Sequence, residues 1–154
     1  MNLQDLLPDN HVILDLNVAS KRAVFEAMAK ALAGHEAIDA DQVLQLLLER
    51  ERIGTTGIGE GVAIPHAKVK DLPGLTGFFI RTSAPIDFDA LDGIKVDLVF
   101  VLLAPEGASA EHLKALAKIA RVFREHSKRE ALRSAESVAD ARALFGDQPT
   151  HNAA

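Results

Sequence analysis

The sequence predicts an α/β sandwich in which a central mixed β-sheet carries helices on both faces. Helical apolar stripes occur towards both ends of the chain, and strand-like apolar runs lie between them. The 154 residues contain no internal repeat and no linker-like segment, so we expect a single domain over residues 1–146. Residues 147–154 are expected to form a flexible C-terminal tail.

Two helices are predicted in the first third of the chain. Ser20 is a suitable N-cap for the first, and its apolar residues recur at helical spacing as far as Gly34. Asp39 or Asp41 can cap the second, which ends in the mixed charges ERER just before Gly54. The apolar stripe of this second helix consists of Val43, Leu44, Leu47 and Leu48.

The strands are predicted in the middle of the chain. Residues 62–64 and 78–82 have the composition of short strands, and residues 96–103 become continuously apolar before Pro105, which is typical of a strand buried on both faces. The intervening run SAPIDFDALDGI has the proline, aspartate and glycine content of a loop or short hairpin.

Two further helices are predicted after the strands. The first begins at Ser109, and a final helix ends at Gly146. The apolar positions that predict the first are Leu113, Leu116, Ala117, Ala120 and Phe123. Those that predict the second are Val138, Ala141, Leu144 and Phe145.

Composition excludes several classes of function. A net charge of −5 without any basic run argues against a nucleic-acid-binding protein. The absence of cysteine excludes disulfides, thiolate metal sites and a cysteine nucleophile. Because the longest apolar run, residues 98–104, is too short to span a bilayer and no signal peptide is visible, we expect a cytoplasmic protein without membrane insertion.

The segment GTTGIGEGVAIPHAK, residues 54–68, has the strongest functional pattern. Gly57, Gly59 and Gly61 alternate, which matches neither the dinucleotide fingerprint nor the P-loop. Alternating glycines allow close approach of another group to the backbone, and Thr55 and Thr56 add hydroxyls and amides, so the loop can bind a phosphate. The alternative interpretation is that the glycines serve tight turns only.

His66 follows directly after this segment. Pro65 fixes its own φ and biases the preceding residue towards an extended conformation, so the imidazole is presented from a stiff backbone. Imidazole is a good nucleophile near neutral pH, and its phosphorylated form must be held in a defined orientation. Taken alone, a histidine after proline is more often structural or merely exposed, so the pattern suggests a phosphoryl site without establishing one.

The runs RERIGTTGIGEGVAIPHAK, PIDFDALDGIKVDLVFVLLAP and EHLKAL resemble the EIIA domain of the fructose/mannitol class of the bacterial phosphotransferase system. The similarity extends from about Leu3 to Phe145 and is greatest to the nitrogen-regulatory branch. It implies that His66 is phosphorylated, on Nε2, by a phosphohistidine donor of the HPr or NPr type. It also implies that the phosphorylation state regulates partner proteins and that no cofactor or metal is required.

The resemblance assigns two further residues to the site. The companion histidine of the family corresponds to His112, in the first turn of the predicted helix, where amides and the helix dipole favour an anion. The family's arginine corresponds to Arg50, whose guanidinium is suited to phosphoryl oxygens. The alternatives are a solvent-facing histidine and a surface arginine paired with neighbouring glutamates. Arg52 is a nearby competitor, and Arg50 is preferred only because it aligns with the family's arginine.

One residue departs from the family pattern. The sequence also leaves two alternative functions open. Ala67 stands where many relatives have glycine, and its methyl group is tolerated unless φ at this position is positive. One alternative is a sugar-specific EIIA component that passes phosphate to a separate EIIB. A second is an anion- or metal-binding regulatory module, although DFDALDG lacks the calcium-loop order and the histidines lack zinc-site spacing.

Overall fold

The computed structural model describes residues 2–35 and 38–146, and in these ranges a mixed six-stranded sheet lies between two layers of helices. The predicted fold class is therefore confirmed. The tail predicted for residues 147–154 lies outside the described residues. No helix within the described ranges is long and apolar enough to cross a membrane.

The elements follow one another along the chain in this order. Two 3₁₀ helices, Leu3–Leu6 and Asp9–His11, precede β1 (Val12–Leu16), α1 (Lys21–Leu32) and α2 (Ala40–Ile53). The middle of the chain forms β2 (Gly57–Gly59), β3 (Val62–Ala63), β4 (His66–Val69), β5 (Thr76–Ile86) and β6 (Val96–Pro105). The described part of the chain ends with α3 (Ser109–Arg124), α4 (His126–Ser134) and α5 (Val138–Ala143).

Strand β6 lies at the centre of the sheet and sets the position of β4. The strand order is β1-β5-β6-β3-β2, with β5 antiparallel to β6. Both β3 and β4 are parallel to β6, β3 pairing with Leu98 and Val99 and β4 pairing with residues 102–105. The two short strands thus follow one another along the same edge of β6, and His66 is the first residue after the chain passes from one to the other.

The apolar core has two halves, one on each face of the sheet. On one face α1 and α2 pack against the sheet through Val24, Phe25, Met28, Leu32, Val43 and Leu47. On the other face α3, α5 and the first 3₁₀ helix pack through residues that include Leu3, Ala115, Ile119, Phe123 and Ala141. Strand β6 contributes alternate residues to both halves, as predicted for a strand buried on both faces.

The predicted starts of the first two helices are confirmed. The Ser20 hydroxyl accepts from the amide of Ala23 at 3.1 Å, and the Asp39 carboxylate accepts from the amide of Gln42 at 3.1 Å. These bonds satisfy amides that would otherwise have no partner at the helix N-terminus. Asp39 rather than Asp41 is therefore the cap of α2.

Some predicted boundaries are wrong. Residues 83–86, expected in a loop or hairpin, extend β5 across an irregularity in its pairing with β6. Ile64 lies beyond the end of β3. Helix α3 also faces the sheet in a different phase: Leu113 is 70% exposed, whereas His112, Ala115 and Ile119 are buried. The predicted buried stripe was therefore wrong by one position, because it included apolar residues that lie on the exposed side of the helix.

Candidate functional site

His66 opens β4 with one ring nitrogen already hydrogen-bonded. Its backbone pairs with Leu102 of β6, and the carbonyl of Pro65 accepts from the Leu102 amide at 2.9 Å. The ring Nδ1 lies 3.1 Å from the carbonyl oxygen of Ile64. Because a carbonyl only accepts, this bond requires the proton on Nδ1, so the neutral ring carries its lone pair on Nε2. The backbone therefore selects the tautomer in which Nε2 has a free lone pair.

His112 faces His66 from the first turn of α3. The ring centroids are 5.5 Å apart and the ring planes make an angle of 70°. His112 is only 6% exposed, and its Nε2 is buried without a hydrogen-bond partner within the described part of the chain. Burial, followed by the charges of His66 and Lys68, lowers the pKa of His112 below 6.5. A neutral ring with its proton on Nε2 has a free donor for an anionic oxygen beside His66.

Arg50 lies in the last turn of α2 and shares two cavities with His66. One cavity, of about 410 Å³, is also lined by His112 and Lys68, and the other, of about 240 Å³, by Thr55 and Thr56. The guanidinium donates one bond, from Nη1 to the carbonyl of Gly54 at 2.8 Å. Its other N–H groups have no protein partner among residues 2–35 and 38–146, so they are free to bind an anion.

Arg52, the competing arginine, is placed differently. It forms an exposed ion pair with Glu49 and lines a separate cavity beside Lys21 that His66 does not reach. The geometry therefore distinguishes the two arginines. From the sequence alone they were distinguished only by alignment with the family. Lys68 donates to the hydroxyl of Ser109 at 3.1 Å and joins the start of α3 to β4.

The glycine-rich segment forms a hairpin rather than an open loop. Gly59 and Gly61 have φ values of 103° and 80°, which lets the chain turn back between β2 and β3. A Cβ on Gly61 would lie 2.5 Å from Nη2 of Arg133, and one on Gly57 would lie 3.0 Å from Cβ of Ala90. Turn geometry and close packing thus account for the three glycines, and neither cavity beside His66 is lined by them. A phosphate contact from Gly57, Gly59 or Gly61 stays a prediction.

Thr55 and Thr56 line the site with hydroxyls that are already engaged. The Thr55 hydroxyl donates to the carbonyl of Phe88 and accepts from the Gly57 amide at 3.0 Å. The Thr56 hydroxyl and amide both donate to the carboxylate of Glu51, at 2.5 and 3.0 Å. Glu51 is buried, although its sequence ERER is typical of a solvated helix end. A phosphate contact from either threonine also stays a prediction.

The acidic run DFDALDG uses its carboxylates to shape a turn. Asp87 accepts from the Asp89 amide at 2.8 Å, and Asp92 accepts from the amides of Glu60 and Ile94 at 2.9 and 3.1 Å. These backbone bonds lower the pKa of the Asp92 carboxyl. Within the described ranges no three histidine or acidic side chains are grouped closely enough to hold a metal ion.

Comparison with known proteins gives one consistent result. Residues 5–147 match the family described as phosphoenolpyruvate-dependent sugar phosphotransferase system, EIIA 2. The chain is 43% identical over 145 residues to a nitrogen regulatory protein of Bradyrhizobium diazoefficiens, covering 94% of this chain and 93% of that one. A nitrogen regulatory protein of Pseudomonas aeruginosa is 38% identical over 139 residues, covering 90% of each chain.

A solved structure shows the same similarity in three dimensions. The crystal structure of the nitrogen regulatory protein IIA-Ntr from Neisseria meningitidis superimposes with a TM-score of 0.88 at 42% identity. The match covers 92% of this chain and 97% of that one. The chain is therefore similar to nitrogen regulatory proteins both in sequence and in fold.

Proposed function

The chain belongs to the EIIA 2 family of the phosphoenolpyruvate-dependent sugar phosphotransferase system, in its nitrogen-regulatory branch, and we propose that it accepts a phosphoryl group on Nε2 of His66. The observation that carries the proposal is the bond from Nδ1 to the carbonyl of Ile64, which leaves the lone pair on Nε2. The donor is a phosphohistidine protein of the HPr or NPr type, and the reaction takes place in the cytoplasm.

The proposed transfer exchanges one phosphorus–nitrogen bond for another. The Nε2 lone pair of His66 attacks the phosphorus of the donor in line, and the electron pair of the breaking bond returns to the donor imidazole. Negative charge spreads over the three equatorial oxygens, for which Arg50 supplies a cation with free N–H groups. His112 supplies the buried Nε2 that lacks a hydrogen-bond partner among the described residues.

Exposed apolar residues surround the two cavities and support docking of a protein donor. Ile53 lines one cavity and is 78% exposed, and Ile58 lines the other and is 56% exposed. Leu113, next to His112, projects into solvent from the same helix. Exposed apolar groups at the mouth of a reactive site are typical of a protein interface. Phosphorylation adds negative charge in the middle of this surface, so we expect it to change which regulatory targets bind there.

A second candidate function follows from the description of the family, which names a sugar phosphotransferase system. In that case phosphorylated His66 passes its group to a separate EIIB component. The accepting step and the residues are the same, and only the fate of the phosphate differs. Adding a fructose- or mannitol-type EIIB to the phosphorylated protein distinguishes the two, because rapid loss of the phosphate to EIIB supports the sugar pathway.

The accepting step is tested by incubation with enzyme I, an HPr-type donor and phosphoenolpyruvate, followed by intact-mass measurement. We expect one added phosphate that is acid-labile, and none in His66→Ala. His126→Ala is the matched control, because this exposed histidine at the start of α4 lies outside both cavities. A label that persists in His66→Ala would refute the assignment.

A further inference from the structure

The carboxylate of Glu51 is the most heavily bonded acidic group beside the site. It is buried in the last turn of α2, immediately after Arg50. It accepts three bonds: from the amide and the hydroxyl of Thr56, and from Nζ of Lys21 on α1 at 3.3 Å. Burying a carboxylate is costly unless its oxygens are satisfied, and here they are satisfied by residues of two other segments.

These bonds connect Glu51 to the guanidinium of Arg50 through the chain that follows α2. Glu51 holds Thr56 by two hydrogen bonds, and two residues earlier lies Gly54, whose carbonyl accepts a hydrogen bond from the Arg50 guanidinium. The position of that carbonyl sets where the guanidinium rests in the two cavities that it shares with His66. The carbonyl of Thr56 also accepts a hydrogen bond from the amide of Ile64 at 3.0 Å. The carbonyl of Ile64 in turn accepts the bond from Nδ1 of His66.

We propose that Glu51 is a positioning residue for the phosphoryl transfer assigned to His66, an inference that rests on that proposed function. Its carboxylate fixes the position of Thr56. Thr56 in turn fixes the Gly54 carbonyl that is bonded to Arg50 and, through Ile64, the backbone beside His66. Lys21 holds the carboxylate from the opposite side and is itself paired with Asp89 at 3.0 Å. Glu51 thus acts through two other side chains and does not touch the phosphoryl group.

The test measures the rate of transfer from a phosphorylated HPr-type donor to purified variants of the whole chain. Glu51→Ala is expected to lower kcat by roughly tenfold or more with little change in KM, because small displacements of reacting groups have effects of this size. Glu51→Gln is expected to restore most of the rate, since its amide can still accept from the Thr56 amide and donate to the Thr56 hydroxyl. Glu26→Ala, which removes an exposed ion pair with Arg22, is the matched control.

A double-variant comparison separates positioning from a general loss of structure. If Glu51 acts in large part through Arg50, Glu51→Ala lowers kcat much less in an Arg50→Ala background than in the wild type. An equal fold-change in both backgrounds, a change in KM alone, or an unchanged rate would overturn the proposal. Thermal unfolding of each variant is measured in parallel, so that only folded protein enters the comparison.

Thr56→Val provides the same test if Glu51→Ala does not fold. Valine has nearly the shape of threonine, so it removes the hydroxyl bond to Glu51 and leaves the amide bond in place. We expect a smaller loss in kcat, about threefold, that is again reduced in the Arg50→Ala background. Absence of any phosphorylation of the wild type refutes the proposed function, whereas normal phosphorylation with no effect of these variants refutes only the role of Glu51.

Discussion

The imidazole rings of His66 and His112 lie with their centroids 5.5 Å apart. His66 is the first residue of β4, and His112 lies in the first turn of α3. One nitrogen of His66 is bonded to backbone, and one nitrogen of His112 is buried without a partner within the described ranges. The first arrangement leaves the lone pair of His66 on Nε2, and the second leaves a nitrogen beside it that can donate when it carries the ring proton. Arg50 adds a cation at the same two cavities.

Replacing His112 tests the donor. His112→Ala is expected to lower the rate of transfer to His66 by about 10²-fold, the usual effect of removing one hydrogen-bond donor to developing charge. His112→Gln is expected to retain part of the rate, because its amide can still donate. Single-turnover transfer from a phosphorylated donor measures both. Equal rates for wild type and His112→Ala would remove His112 from the mechanism.

The two arginines at the end of α2 predict opposite results. Arg50→Lys is expected to slow transfer by at least roughly tenfold, because an ammonium cannot bind two phosphoryl oxygens as a planar guanidinium does. Arg52→Lys should transfer at nearly the wild-type rate, since Arg52 forms an exposed ion pair with Glu49 and lines a different cavity. Equal losses in the two variants would contradict the assignment of Arg50.

The lowered pKa of His112 predicts how its contribution to stability depends on pH. Burial favours the neutral ring, so between the folded pKa and the ordinary value of 6.5 the unfolded chain binds more protons than the folded one. The contribution is therefore zero above about pH 7.5 and becomes destabilising as pH falls through 6.5.

Urea unfolding of wild type and His112→Gln between pH 5 and 8 measures this contribution. Both proteins retain His11, whose pKa is also lowered by burial, so the difference between them isolates His112. We expect the wild type to lose more stability than His112→Gln on acidification. A parallel pH dependence in the two proteins would show that His112 titrates normally in the folded state.

The exposed apolar residues predict a change in donor binding rather than in chemistry. Leu113→Lys is expected to raise KM for the phosphorylated donor about tenfold and to leave kcat nearly unchanged, because it alters the surface beside the site without touching the phosphoryl group. Leu91→Lys is the control, since Leu91 is 99% exposed and, unlike Leu113 beside His112, has no chain neighbour that lines either cavity. Similar KM values for the two variants would place the docking surface elsewhere.

Local signals in the sequence predict much of the fold. The caps Ser20 and Asp39, the glycines after α1 and α2, and the continuous apolar run of β6 each act within a few residues. Helix α4 was not predicted, because its sequence HSKREALRS is mostly polar. It is held by long-range bonds instead: Arg81 of β5 donates to the carbonyls of Leu132 and Ala135 at 2.9 and 2.7 Å.

The site shows the same division between local and long-range information. The stiff backbone beside His66 could be predicted from the sequence, because Pro65 directly precedes it. Glu51 is indistinguishable from a surface glutamate until the fold places Thr56 and Lys21 against it. The pairing of His66 with His112 likewise depends on the fold bringing the first turn of α3 to the start of β4, which residue spacing does not encode.

The position of the phosphate on the ring tests the central claim most directly. Protein labelled with ¹⁵N and phosphorylated through enzyme I and an HPr-type donor is examined by long-range ¹H–¹⁵N correlation of the histidine side chains. We predict phosphorus coupling at Nε2 of His66, with Nδ1 protonated and bonded to Ile64. Phosphate on Nδ1 of His66, or on His112, would contradict the account.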